Sequence, residues 1–299
     1  MTYVERWWLT DYTPEIYVYL RKLERRRMNF QSQSPQVHHR GRLVAFISAV
    51  CSRMDFCTLV QHLSVHFLDF FMDSHNIAPE HLELVALGCV VVAAKAEEKD
   101  CRNPLNSEIS KLMGNAYTLR EIGEAERAVL HFFRWEVNHP TVAHFLEYFA
   151  VFGLLPYDKP FSRVSAEMLQ LREAMKHQLD FFLEASLKDY MFTQMPASMV
   201  AASCVVSARV CMCIYPYWST TLEKITDYKL EQLVFCTNQL LMARDREYAK
   251  NGPRPQEFND YYAVGFPYYY DIMALQDAES RHEDRRAAWW PVHSSQYEV

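Results

Sequence analysis

Hydrophobic and polar positions follow a helical period along most of the chain. Thr13 is expected to cap a first helix, with Pro14 at its first position and Ile16, Leu20 and Leu23 on one apolar face. Further helices are predicted near residues 40–53, 58–74, 79–95, 106–113 and 120–135, and then near 141–152, 162–185, 196–213, 219–224 and 227–244. The pattern predicts an all-α protein with two successive sets of five helices.

The third helix of each set has its own pattern. Residues 82–94 and 199–211 are apolar or small around the helix rather than along one stripe. A helix of this kind is surrounded by other helices, and its small residues let those neighbours come close. Each set is therefore predicted to form a compact bundle around its third helix.

An internal repeat supports this division. The segment HFLDFFMD at 66–73 returns as HQLDFFLE at 177–184, and residues 85–93 return in the same order as residues 200–208. The repeat indicates a duplicated domain. We divide the chain into an N-terminal helix and linker (1–37), a first domain (38–138), a second domain (139–246) and an irregular, aromatic-rich tail (247–299).

Composition excludes several classes of protein. Seven glycines in 299 residues are too few for sheets joined by tight turns, and a net charge of −6 gives no sign of a nucleic-acid or membrane-surface partner. The longest apolar stretch, residues 84–94, is shorter than the roughly 20 residues that a bilayer span needs. The N-terminus has no apolar signal-peptide core, so a soluble intracellular protein is expected.

The sequence has no recognisable motif of an enzyme or of a metal centre. Four of the eight cysteines lie inside apolar helical patterns, where a thiol acts as a small hydrophobe, and Cys211 and Cys213 point to different faces of a helix. His38 and His39 have no partners at zinc spacing. Phosphate loops, nucleophile elbows and triad patterns are not found, so no cofactor and no small-molecule substrate are expected.

The local sequence resembles the cyclin family, whose members have two tandem five-helix boxes. The match is carried by residues 82–98, which end in lysine, a variable residue and two glutamates, by Asp69–Phe71 at the end of the second helix, and by Glu126 in the fifth. Segments 7–8, 33–36, 143–148 and 182–190 look like those of J-type cyclins. The resemblance covers roughly residues 13–244.

This resemblance implies a non-catalytic regulatory subunit that binds and activates a cyclin-dependent serine/threonine kinase in cell-cycle control. In the family, the matching lysine and glutamate contact the kinase near its regulatory C-helix. The implied kinase-binding residues are Lys95, Ala96, Glu98 and Glu126. Kinase substrates are possible further partners, and nuclear residence, with some cytoplasmic protein, is what the family implies.

The residues themselves allow a plainer interpretation. Glu126 lies between Ile122 and Val129 and has no cation within one helical turn, so Lys95 is an available distant partner. Alternatively, Lys95 is only a cation favoured at a helix C-terminus, and Glu126 is a solvated surface acid.

One segment departs from the family. Many cyclins recruit substrates through an apolar groove made by a methionine-arginine-alanine-isoleucine-leucine segment and a nearby tryptophan. Here residues 39–43 read HRGRL, and Phe46 takes the position of the tryptophan. The residues assigned to this atypical groove are Arg40, Leu43, Phe46 and Glu83. We expect substrate docking there to be weak or altered.

Two alternatives remain open. A cyclin-fold adaptor could bind other proteins without activating a kinase, although nucleic-acid-binding adaptors usually carry a basic face that a net charge of −6 does not favour. The second is a helical scaffold without a regulatory role, which the tandem repeat and the J-type segments favour least. The basic run at residues 21–27 could serve nucleic-acid binding or nuclear import, but it is better interpreted as the solvated face of a helix end.

Overall fold

The computed structural model describes residues 10–28, 30–160 and 168–251 and confirms the all-α fold. Its helices are α1 (Thr13–Arg25), α2 (Arg40–Met54), α3 (Thr58–Ser74), α4 (Leu82–Glu97), α5 (Asn106–Leu112), α6 (Leu119–Phe132), α7 (Val142–Phe149), α8 (Met168–Lys188), α9 (Ala197–Cys211), α10 (Thr220–Thr226) and α11 (Leu230–Asn251). The described chain forms two compact units. The first contains the residues up to Tyr148 together with Ser186–Ala201, and the second contains Phe149–Ala185 and the residues from Ala202 onward.

Helix α4 is the centre of the first unit, as its pattern predicts. Residues 86–94 are all buried, and α3 and α6 pack directly against this helix. The approach to α6 depends on Gly88, because a Cβ atom there would lie only 2.9 Å from the carbonyl carbon of Ala125. This close packing places the end of α4 beside the middle of α6.

The second unit has residues 202–211 of α9 at its centre. All ten of these positions are buried, which agrees with the predicted all-round apolar helix. One of them, Arg209, is a charged residue without exposed surface, and the sequence pattern gave no hint of its role. A short antiparallel pair joins β1 (Lys159–Pro160) to β2 (Ile214–Tyr215), a detail that the helical pattern did not predict.

Several predicted boundaries needed correction. Thr13 lies inside α1 rather than capping it, and the hydroxyl of Thr13 donates to the carbonyl of Thr10. Residues 79–81 form a 3-10 turn before α4 begins. Helix α11 continues to Asn251, five residues into the predicted irregular tail, because Tyr248 stacks on Phe181 of α8. The rest of the predicted tail and residues 161–167 lie outside the described residues.

The basic run in α1 divides between two faces. Arg21, Glu24 and Arg27 turn inward, while Lys22, Arg25 and Arg26 are exposed. The Glu24 carboxylate accepts hydrogen bonds from the backbone N–H of Ser198 (2.7 Å) and from its hydroxyl (2.8 Å), at the beginning of α9. A carboxylate at this place satisfies amide groups that have no partner within their own helix. The interpretation of the run as a helix face is supported, with part of it used to attach α1.

Candidate kinase-binding site

Lys95 and Glu126 form an ion pair on the surface of the first unit. The Nζ atom of Lys95, in the last turn of α4, lies 2.6 Å from Oε1 of Glu126 in α6. The Lys95 side chain is 41% exposed and the Glu126 side chain 15%. Ala96 is exposed beside them. The structure therefore confirms that Lys95 is the distant partner of Glu126, which has no cation within one helical turn. The exposed Lys95 side chain stays accessible to a partner.

Glu98 has a different role from the one assigned by sequence. Its side chain is only 5% exposed, and its carboxylate accepts a hydrogen bond of 2.7 Å from the backbone N–H of Cys57, directly before α3. Helix starts carry unpaired N–H groups and a partial positive charge, which a carboxylate stabilises. We correct the interpretation of Glu98 to a residue that fixes the start of α3, so the predicted kinase site rests on Lys95, Ala96 and Glu126.

Glu97 makes a link that the sequence analysis missed. Its Oε1 atom lies 3.2 Å from Nε2 of His144, and Nδ1 of His144 accepts from the backbone N–H of Thr141 (3.1 Å). The spacing of Thr141 and His144 at the start of a helix is a capping signal that could have been recognised. The contact joins the end of α4 to the start of α7 within the first unit.

Two of the predicted groove residues are buried and cannot line a surface groove. The Nε and Nη2 atoms of Arg40 donate to the two carboxylate oxygens of Asp69, at 2.7 Å and 2.9 Å. The same guanidinium group also donates to the carbonyls of Leu187 (3.0 Å) and Lys188 (2.9 Å). Leu43 has no exposed surface and belongs to the apolar core of the first unit. These positions are corrected to structural ones, because the inner face of α2 turns toward α3 and α4.

The other two groove residues lie on the surface. Phe46 is half-buried against the core, and Glu83 of α4 forms a 2.7 Å ion pair with Arg42 of α2. Burial and the nearby Glu83 carboxylate raise the pKa of Tyr117 next to this pair. A charged bridge therefore connects α2 to α4 on this surface.

A pocket of about 80 Å³ in the first unit contains several ionisable side chains. Its lining includes Arg27, Arg40, Asp69, His62 and His66. Burial, and then His144, lower the pKa of His62 to about 3, while burial, His139 and Arg27 lower the pKa of His66 well below its usual value. Both imidazoles are therefore neutral in the folded chain.

These histidines predict a loss of stability in acid. The unfolded chain binds protons on both residues below about pH 6.5, whereas the folded chain does not, so the stabilisation is present above that pH and is lost as the pH falls. From pH 7.5 to 5.5 we expect a cost of about 1.4 kcal/mol for each histidine. Urea unfolding of the wild type and of a His62→Gln/His66→Gln variant at both values measures the difference.

The repeat supplies a control for this prediction. His177 occupies the place of His66 in the second copy and is exposed. His177→Gln should therefore keep the pH dependence of the wild type. If the free energy of unfolding falls equally in the wild type and in the double variant between pH 7.5 and 5.5, the two buried histidines are not neutral in the folded state.

Five of the eight cysteines are buried in the described chain. Burial raises the pKa of Cys51 and of Cys236 to about 12, so both stay protonated thiols in an apolar setting. Among the described residues, no group of three His, Cys, Asp or Glu side chains is arranged to hold a metal ion. In the same part of the chain, no helix is long and apolar enough to cross a membrane.

Solved structures of known proteins share this fold. A viral cyclin from herpesvirus saimiri superposes with a TM-score of 0.62 over 79% of this chain and 100% of its own, at 16% sequence identity. At that identity the likeness shows the fold alone. It agrees with two tandem helical domains.

Curated proteins of known family are similar to this chain in sequence. Cyclin-J of Xenopus laevis is 32% identical over 246 residues, and the Cyclin-J-like protein of Mus musculus is 31% identical over 248 residues. Each alignment covers 81% of this chain and 64% of the relative, so the chain spans less than two thirds of the length of these proteins. The model of the cyclin N-terminal domain matches residues 15–138, and that of the cyclin C-terminal domain matches residues 140–259. Because these two matches together cover most of its length, the chain belongs to the cyclin family.

Proposed function

We propose that this chain is a non-catalytic regulatory subunit that binds a cyclin-dependent serine/threonine kinase and activates it. The ion pair between Lys95 and Glu126 is the observation that supports this function best. Two adjacent helices hold it at the surface, beside the small side chain of Ala96. The segment that carries it also matches the family's kinase-contact residues.

The chemistry of the pair suits a contact with a backbone. An ammonium group has three N–H donors, and one of them is directed to Glu126 at 2.6 Å. The remaining donors could bind carbonyl oxygens of a partner helix, while Glu126 keeps the Lys95 side chain in place. Activation follows if the chain binds the active arrangement of the kinase more tightly than the inactive one, since phosphoryl transfer requires a correctly placed C-helix.

Removing the pair should disrupt kinase binding. We expect a Lys95→Ala/Glu126→Ala variant to bind the kinase at least about 30-fold more weakly, which is the effect of losing a contact worth about 2 kcal/mol at the centre of an interface. The measurement is co-purification of the tagged chain from cells, followed by detection of kinase subunits and an assay of phosphoryl transfer. Circular dichroism checks that the variant is folded.

An Arg120→Ala/Glu124→Ala variant is a matched control. It removes an ion pair of 2.8 Å that is exposed on the same helix, α6. We expect it to retain the kinase. If the wild type brings down no kinase, the regulatory function is wrong and the adaptor function takes its place; if the two variants lose the kinase equally, the assignment to Lys95 and Glu126 fails.

Recruitment of substrates through the α2–α4 surface should be weak. The Arg42–Glu83 bridge places charge where an apolar motif would insert, and Phe46 offers less area than a tryptophan. Fluorescence polarisation with short basic-apolar peptides measures the affinity of the wild type and of Phe46→Ala. Tight binding that Phe46→Ala abolishes would contradict this expectation.

Nuclear residence belongs to the same proposal. It rests on the family and on the exposed residues Lys22, Arg25 and Arg26 of the basic run. Imaging of a fluorescently tagged chain tests it, and exclusion from the nucleus at every cell-cycle stage would overturn it.

A further inference from the structure

The outer face of α1 carries an ordered set of exposed side chains. Val18 and Tyr19, in the middle of the helix, are 65% and 50% exposed. Acidic residues are exposed at its beginning and basic residues at its end, and these are Asp11, Glu15, Lys22, Arg25 and Arg26. At 100° per residue, the five of these residues that lie within α1 fall on one side of the helix, while Asp11 precedes the helix and Arg26 follows its last residue. The opposite side is occupied, since Tyr17 packs on Phe145 and Tyr148.

The exposed charges of this face have no partners in the described part of the chain. Ion pairs to Glu15, Lys22, Arg25 or Arg26 do not occur among the described residues. The acid that interrupts the basic run, Glu24, is turned inward to Ser198 and Arg21. The outer face therefore keeps a negative beginning, an apolar middle and a positive end.

This order of charges is complementary to that of a second α1 helix running in the opposite direction. In an antiparallel arrangement of two α1 helices centred between Val18 and Tyr19, Glu15 of one helix meets Lys22 of the other, and Asp11 meets Arg26. Each contact occurs twice because a twofold axis relates the two helices. We propose that α1 is a homodimerisation surface that pairs in antiparallel orientation with α1 of a second copy of this chain.

The size of the surface sets the strength of the dimer. A helix of 13 residues is about 20 Å long, so the contact is smaller than a standard stable interface. Exposed ion pairs contribute little individually and are screened by salt. We expect a reversible dimer with a dissociation constant of about 0.1–1 mM at low salt, weakened at least about tenfold at high salt.

Charge reversal tests the pairing directly. Sedimentation equilibrium of the full chain would compare the wild type with two variants. In Asp11→Lys/Glu15→Lys the charged residues of the face are all basic, and in Lys22→Glu/Arg26→Glu they become largely acidic. Each variant alone should be at least about tenfold weaker in self-association, because like charges then face each other. An equimolar mixture should form a heterodimer again, because the paired charges are opposite.

The control is a variant elsewhere on the surface that changes the net charge by the same amount as Lys22→Glu/Arg26→Glu. Arg53→Glu/Lys111→Glu reverses two exposed cations on α2 and α5 and should dimerise like the wild type. Restored association in the mixture, together with normal association of this control, supports the proposal. A wild type that stays monomeric to millimolar concentration at low salt, or a mixture that associates no better than its components, would overturn it and leave the α1 face for a different partner.

Discussion

Replacing Asp158 with alanine should lower the free energy of unfolding of the second unit by about 3–5 kcal/mol. Asp158 binds both terminal nitrogens of Arg209 at 2.6 Å, and neither side chain is appreciably exposed. Arg209 also donates to the carbonyls of Gly153 (2.8 Å), Pro216 (2.6 Å) and Tyr217 (3.1 Å). The guanidinium group thus holds two loops against α9. Without Asp158 it would remain buried with its charge uncompensated.

Urea unfolding followed by far-UV circular dichroism measures this effect. Glu173→Ala, which removes an exposed acid from α8 of the same unit, is the control and should stay within about 0.5 kcal/mol of the wild type. A loss below 1 kcal/mol for Asp158→Ala would mean that water or a neighbouring group compensates Arg209. The stabilising role assigned here to the Asp158–Arg209 pair would then be wrong.

Replacing Asp69 with alanine should have an effect of similar size in the first unit. The carboxylate of Asp69 compensates the buried Arg40, and Thr193 donates a further bond of 3.2 Å to it. Without Asp69, the buried guanidinium group keeps the carbonyls of Leu187 and Lys188 and the ring of Tyr190 as contacts, and none of these carries a compensating charge. We expect about 3–5 kcal/mol of destabilisation, measured by urea unfolding.

The internal repeat provides a matched control for Asp69. Asp180 occupies the same place in the second copy of the LDFF segment, but its side chain is exposed, and partial burial raises its pKa. The folded state therefore gains nothing from the ionised form, and Asp180→Ala should be nearly neutral. Equal destabilisation by Asp69→Ala and Asp180→Ala would contradict the assignment, because only Asp69 has a buried partner.

The candidate site was predictable in part. The surface position of Lys95 and Glu126 followed from the resemblance and from the missing local cation beside Glu126, and the structure confirms their contact. Glu98 was misassigned because the sequence does not show that its carboxylate reaches the N–H of Cys57, 41 residues away. Arg40 and Leu43 were misassigned because a motif position does not reveal which face of α2 is buried.

The helices, their division into two sets and the buried third helix of each set were all predictable from the amino-acid pattern. Apolar periodicity is a local property of the chain, and a helix that is apolar all round must lie inside. The partners of the polar residues were not predictable in this way, because they depend on contacts between distant parts of the chain. Arg40 and Asp69 are 29 residues apart, Lys95 and Glu126 are 31 apart, and Arg209 and Asp158 are 51 apart. Such contacts depend on how helices pack, which is why identical local segments bury Asp69 and expose Asp180.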